Sequence, residues 1–289
     1  MTDSREELIA AVQDVPLLSP SVSQLLEVTA DPKYNIADLI RIIKHDAVLT
    51  ARLLRVVNSA AYALPVEVET VDRAVAMLGS RVVVGLALGG AGDGLFTRPL
   101  DGYDSNGEGI WRHDLFSAIA GRYVGLKATT DFTPDLAFTG GLLLDIGKAV
   151  MSQFLVGKSA AMLADIANGT ASDYLEEETR LLGLDHAELG YELAKCWQLP
   201  EVLQNAIRYH HKPSQASEIY RPLCYAVHIG DTLAMMAGHS AGSDAMQYQL
   251  ESGYDAYFKL DEQDIGMIML QSGEEFMQLE EVMALVMEA

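Results

Sequence analysis

The chain has 289 residues, and its 41 acidic against 20 basic residues give a formal charge of -21. A field of that sign repels phosphate backbones and anionic bilayer surfaces, which argues against direct nucleic-acid binding and against membrane association. Apolar residues make up 49% of the chain, too many for a disordered one, and the longest apolar run, Val82 to Gly92, is too short to cross a bilayer; the expectation is a soluble cytoplasmic protein with a core that needs no staple.

From the N-terminus, Ser4-Arg5-Glu6-Glu7 has capping-box spacing ahead of an apolar face at Leu8, Ile9 and Val12, which predicts a first helix. Pro16 and Pro20 bracket Leu17-Leu18 and predict an extended linker, followed by a helix over 21–29 that stops near Asp31-Pro32. Asn35 is suited to cap a helix over 36–44. Asp46 is suited to cap one over 47–59, where Leu49, Leu53, Leu54 and Val57 share a face. Asn58 and Ser59, at the end of that helix, read as local backbone-bonding residues. Thr70 opens a short helix that runs to Leu78 and stops at Gly79. Val82-Val83-Val84 is the strongest β-branched run, but it lies in a helical context.

Residues 89–109 break the periodicity. Gly89, Gly90, Gly92, Gly94, Gly102, Gly107 and Gly109 fall there among aspartates and predict a long loop or domain boundary. A phosphate-cradling loop would end in Gly-Lys-Ser/Thr or sit between a strand and a helix, and this stretch has neither setting. Helices resume at Trp111, over 111–128, 134–144, 146–155, 158–168, 173–183, 186–196, 200–210 and 219–237. Thr133-Pro134 supplies a cap and a first-position proline for the second of these. Two final helices, 262–270 and 274–288, close the chain, and the last is a candidate surface for pairing in a homodimer.

The fold class is therefore all-α, as two packed helical bundles. Residues 1–95 form an N-terminal part of 5–6 helices, 96–110 a Gly/Asp-rich loop, 111–240 a second bundle, and 241–289 the C-terminal helices. Glu176-Glu177-Glu178 reads as a solvated helix face, and Met235, Met236, Met267 and Met269 as core filler. Cys196 and Cys224 lack redox or metal spacing and read as buried, reduced thiols. His45, His228 and His239 receive no role.

The chemistry lies elsewhere. His113, Asp145, His186, His210, His211 and Asp231 are imidazoles and carboxylates, the residue types that hold divalent ions for phosphoester cleavage. They are spread over more than a hundred residues on different predicted helices, which suits ligands converging inside a bundle rather than a local finger. Leu144, beside Asp145, is the break in the series.

Several segments give the series a family. Ile110-Trp111-Arg112-His113, Leu143-Leu144-Asp145-Ile146-Gly147-Lys148, His186-Ala187-Glu188-Leu189-Gly190, Trp197-Gln198-Leu199-Pro200 and Ile207-Arg208-Tyr209-His210-His211-Lys212-Pro213 occur in the order of the HD superfamily. Leu17-Leu18-Ser19-Pro20, His45 to Tyr62 with its Asn58-Ser59, and Thr70 to Gly79 resemble the HDOD domain, and the likeness covers roughly residues 14–240.

That resemblance implies an HD-like helical fold in a bacterial signalling or regulatory module, of a family that has generally lost metal and activity. It makes His113 the first ligand histidine, Asp145 the bridging aspartate, His186, His210 and His211 the second-metal histidines of the HD-GYP branch, and Asp231 the last ligand. Leu144 stands where a histidine is expected and removes a ligand mainly from the first position. Two outcomes follow: an inert polar network with no cofactor, or one divalent ion (zinc, iron or manganese) on three imidazoles and a carboxylate. The expected function is a non-catalytic regulatory module that binds a partner protein or a small phosphorylated ligand. The alternative is a reduced, single-metal phosphohydrolase acting on nucleotides or cyclic dinucleotides. No catalytic residue stands out; Lys148 is the candidate, either as a helix-end cation or as a phosphate contact.

Overall fold

A computed structural model describes residues 2–105 and 110–287 of the chain. Fourteen α-helices are present among these residues, with no β-strand, so the fold is all-α. The N-terminal group comprises α1 (Thr2–Gln13), α2 (Pro20–Thr29), α3 (Ile36–Lys44), α4 (Ala47–Val57) and α5 (Val71–Gly89). The second group comprises α6 (Trp111–Gly125), α7 (Pro134–Gly141), α8 (Ile146–Leu155), α9 (Ser159–Ala167), α10 (Tyr174–Leu182), α11 (His186–Cys196), α12 (Glu201–Tyr209) and α13 (Arg221–Met236). A last helix, α14 (Glu262–Met287), returns across α4, α5 and α6. None of the described helices is long and apolar enough to cross a membrane on its own.

Caps in the first group follow the sequence. Asn35 accepts from Ala37 N, and Asp46 accepts from Leu49 N at 2.9 Å, each satisfying one amide that a helix start leaves without a partner. Leu25, Leu39, Ile43, Leu53 and Val57 are wholly buried between α2, α3, α4 and α5. Helix α1 does not join them: it lies against α8 and α11 of the second group, so chain order and spatial grouping differ there.

Several local expectations change. α1 begins at Thr2, which puts Ser4 inside its first turn; α2 is capped by Ser19, with Pro20 as its first residue. Gly79 does not end a helix. Its left-handed backbone (φ 77°) makes a kink, and helix resumes at once and runs to Gly89, carrying the Val82-Val83-Val84 run into the core. Asn58 does bind backbone, but not locally: its amide donates to Val68 O at 2.9 Å and accepts from Val68 N at 2.7 Å, ten residues on.

The Gly-rich stretch is more ordered than a linker. It forms 3-10 turns at Gly92–Thr97 and Asp101–Tyr103 that bury Leu95, Phe96, Leu100 and Tyr103, while Gly107 and Gly109 lie outside the described residues. The last two expected helices are one. Gly273 costs about 1 kcal/mol inside a helix, but burial of Ile268, Ser272 and Phe276 carries α14 through it; residue 288 lies outside the described part.

Among the side chains, Met235 is buried, but Met236 and Met267 are exposed rather than core. Cys224 is buried as expected, and Cys196 only partly.

Candidate metal centre

Five helices meet at Asp145. The chain leaves α7 at Gly141, turns through Leu142 to Leu144, and enters α8 with Asp145 at the capping position. Its carboxylate makes no cap bond. It points inward instead, 2.8 Å from Lys148 Nζ, 3.6 Å from His113 Nε2, 3.5 Å from His186 Nε2 and 3.7 Å from His210 Nε2. Gly147 makes this convergence possible: a Cβ there would stand 1.9 Å from His186 O and 2.6 Å from Gly190 N, so α8 and α11 touch backbone to backbone only without one. On the other side, α6 and α13 pack through Ser117, Gly121, Ala226 and Gly230, and this close crossing brings His113 Nε2 to 3.0 Å from Asp231 Oδ1. His210 and His211 follow the end of α12, with ring centroids 4.0 Å apart.

All six residues expected to ligate are buried together. Asp145, His186, His210 and His211 offer ligand atoms that all lie within 4.8 Å of one another, and His113 and Asp231 flank the same carboxylate. Leu144 is wholly buried beside them and offers nothing.

The histidines are oriented from behind. His186 Nδ1 lies 2.8 Å from Glu178 Oε2, His210 Nδ1 lies 2.7 Å from Ile207 O, and His113 Nδ1 lies 2.6 Å from His239 O. A ring held at Nδ1 by an oxygen acceptor presents Nε2 forward with its lone pair, the arrangement that supports metal-binding histidines. Several forward atoms then have no hydrogen-bond partner: Oδ1 of Asp145, Nε2 of His210, Nδ1 of His211 and Oδ2 of Asp231. Buried orphan atoms are expensive. Tetrahedral ligands about 2.0–2.1 Å from an ion sit about 3.3–3.5 Å from each other, close to the spacings around Asp145. The residues therefore fit one divalent ion on the Asp145–His186–His210–His211 side.

Electrostatics divide the cluster. Burial drives the His210 imidazole down to about 4 and, reinforced by the neighbouring His210 and His186 rings, pushes His211 well below the ordinary histidine value, so both rings are neutral and able to ligate. Burial opposes charge on His186 too, but the carboxylate of Glu178 outweighs it and lifts its pKa. On the other side, burial of His113 is overcome by contact with Asp231 and by the charges of Asp231 and Asp145, which raise it to about 9. Burial works against the ionised Asp145, yet Lys148 and the histidines hold its carboxyl below the usual range.

Lys148 is not a C-terminal helix cation. It sits in the first turn of α8, where the helix dipole disfavours positive charge, and two carboxylates hold it there: Asp145 at 2.8 Å and Asp244 at 2.6 Å. Its ammonium also faces the rings of Tyr103 and Tyr248. Tyr248 donates to Asp244 at 2.7 Å and stacks on His211 with centroids 4.0 Å apart. The segment after α13 thus folds back over the cluster.

Sequence reasoning misses these supporting residues, and in one case misreads them. Glu177 and Glu178 are wholly buried, not solvated; Glu177 pairs with Arg180, while Glu178 accepts from Tyr103 Oη as well as holding His186. The available signal is the spacing of Glu178, eight residues before His186 with a helix break at Gly183 between them. His239 contributes through its carbonyl, which no side-chain pattern reveals. Asp114, next to His113, has no place in the series read from sequence; it is buried with both carboxylate oxygens unpartnered.

Comparison with known proteins agrees with this geometry. The profile of the HDOD domain family matches residues 15–213. The chain belongs to the HDOD domain family. A curated relative from Treponema pallidum (strain Nichols), of uncharacterised function, is 28% identical over 222 residues; the match takes in 75% of this chain but only 41% of that protein's length. Among solved structures, an HDOD domain protein of unknown function from Geobacter sulfurreducens matches with TM-score 0.67 and 19% identity, over 99% of this chain and 98% of that one. A candidate signal transduction protein from Marinobacter aquaeolei VT8 matches with TM-score 0.74 and 19% identity, over 99% of this chain and 66% of that one. A candidate phosphohydrolase from Shewanella amazonensis SB2B matches with TM-score 0.64 and 25% identity, over 96% and 97% of the two chains.

Proposed function

We propose that this HDOD protein is a non-catalytic signal-transduction module whose buried cluster keeps a divalent ion in its histidine-rich position. The observation that carries the reading is the closure of the cluster. Asp145, His186 and His210 are wholly buried, Lys148 is held by two carboxylates, and Tyr248 lies flat on His211. A hydrolytic metal site keeps one coordination position open to water and substrate, whereas here Asp244 engages Lys148 and Tyr248 covers the His211 ring. The ion would be zinc, iron or manganese, held by Asp145, His186, His210 and His211.

The input to such a module is a regulatory protein partner or a small phosphorylated ligand. A cleft of about 410 Å³ supports the latter. It is lined by Arg112, His113, Asp104 and the loop Gly238 to Ser243, and it opens beside the His239 carbonyl that orients His113.

A second reading is favoured by one observation, the complete three-histidine, one-carboxylate set. An ion there would supply Lewis-acid chemistry to a nucleotide or cyclic dinucleotide, with Lys148 positioning phosphate. Release of Lys148 from Asp145 and Asp244 would have to come first.

The deciding assay is hydrolysis of phosphomonoesters and phosphodiesters by the full chain with manganese, iron or magnesium, set beside Asp145→Ala. Equal, background rates are expected. Turnover by the wild type that Asp145→Ala abolishes would overturn the non-catalytic reading, and turnover confined to Leu144→His would support a lost ancestral activity.

A further inference from the structure

The cluster holds a second group of ligand-type atoms that the histidine-rich position does not use. Asp114 follows His113 on α6, is 1% exposed, and has no hydrogen-bond partner for either carboxylate oxygen. Atoms of His113, Asp114 and Asp145 all lie within 4.8 Å of one another, and Asp231 Oδ1 stands 3.0 Å from His113 Nε2. We propose that Asp114 supplies the ligand lost at Leu144, so that His113, Asp114 and Asp145, beside Asp231, form a site for a second, harder divalent cation.

A carboxyl group buried without a hydrogen-bond partner is costly, and a bound cation would satisfy both of its oxygens. The nearby cationic side chains are already engaged: Lys148 with Asp145 and Asp244, and His113 with Asp231, while neither oxygen of Asp114 has a donor. The nearest unused acceptors are all oxygens: both of Asp114, and Oδ2 of Asp231.

The donor set also fixes the kind of ion. One imidazole with two or three carboxylates suits manganese or magnesium, whereas three imidazoles with one carboxylate suit zinc or iron. The two sides of Asp145 are therefore chemically different positions. The leucine that removes a histidine changes the character of the first position rather than abolishing it, because the replacement ligand comes from α6 and not from the α7–α8 turn.

This inference rests on the cluster holding metal at all, and the test separates the two. The full chain is stripped with chelator, loaded with one equivalent of zinc, and titrated with manganese, with free Mn²⁺ read by electron paramagnetic resonance and zinc by elemental analysis. Expected is one bound zinc and one bound manganese per chain. Asp114→Asn should keep the zinc and bind manganese at least about tenfold more weakly, since even the loss of a residue behind a ligand weakens metal binding by about 10–100-fold. The Asp114→Asn protein should also no longer rise in Tm with manganese, whereas the wild type should.

Zinc binding without a manganese equivalent in the wild type, or unchanged manganese binding in Asp114→Asn, would overturn the role of Asp114 while leaving the zinc position standing. No zinc and no manganese would sink both. The wild-type titration separates these outcomes even where the variant does not fold.

Discussion

The two helical groups fill their interiors differently. In the group formed by α2 to α5, the buried side chains are almost all aliphatic, and the polar contacts lie at the rim, with Asp46, Asn35 and Asn58. In the group around α6, α8, α11 and α13, the centre is polar: four histidines, a lysine and several carboxylates are sealed together. The first arrangement is what packing alone selects. The second is destabilising unless its groups are paired or bind something, because orphan buried donors and acceptors each cost about 1–3 kcal/mol. A polar centre that leaves Asp145 Oδ1, His210 Nε2 and His211 Nδ1 unpartnered is therefore a centre arranged for a ligand.

Mutations can break this contrast. The largest effect is expected at Gly147. A methyl group there meets His186 O and Gly190 N, backbone atoms that cannot rotate away, so Gly147→Ala should cost at least about 3 kcal/mol in urea denaturation and abolish any rise in Tm on adding zinc. Next comes the apolar half. Leu53 is wholly buried, and Leu53→Ala should lose about 3 kcal/mol through the cavity it leaves while the zinc response survives. That response is sizeable: a ligand at a hundred times its Kd adds about 2.7 kcal/mol. A loss of the response in Leu53→Ala would mean that the two groups do not differ in the way described.

Smaller effects follow at the rim. Asn58→Ala removes both bonds to Val68 and should cost about 2 kcal/mol, with local loss of hydrogen-exchange protection across 59–69. Asp46→Ala removes one cap bond and should cost about 1 kcal/mol.

The sequence is legible where one residue decides one local event. Asn35 and Asp46 start helices because a short polar side chain reaches an unpaired amide, and that chemistry depends on nothing distant. The helix class and the members of the central cluster are legible for related reasons: periodicity, and residue types with few other reasons to be buried. The misread features all depend on tertiary neighbours. Gly79 looks like a stop until the core draws Val82 to Val84 back into helix. Gly273 looks like a break until α14 lies across α4, α5 and α6. Glu178 looks solvated until Tyr103 and His186 arrive from other elements, and Glu177, paired with Arg180 one turn on in α10, is buried with it. Asp114 and Asp244 carry no pattern at all, because what matters about each is which carboxylates and cations surround it.

The closure of the polar centre is the claim on which the functional reading depends, and chemical access measures it directly. The native full chain is treated with diethyl pyrocarbonate and the modified histidines are mapped by mass spectrometry. His45, exposed at the end of α3, serves as the reference. The account predicts rapid modification of His45 and protection of His186 and His210 until the protein is unfolded. Modification of His186 or His210 in the native protein at a rate near that of His45 would contradict it, since a cluster open to that reagent is open to water and to a phosphoester.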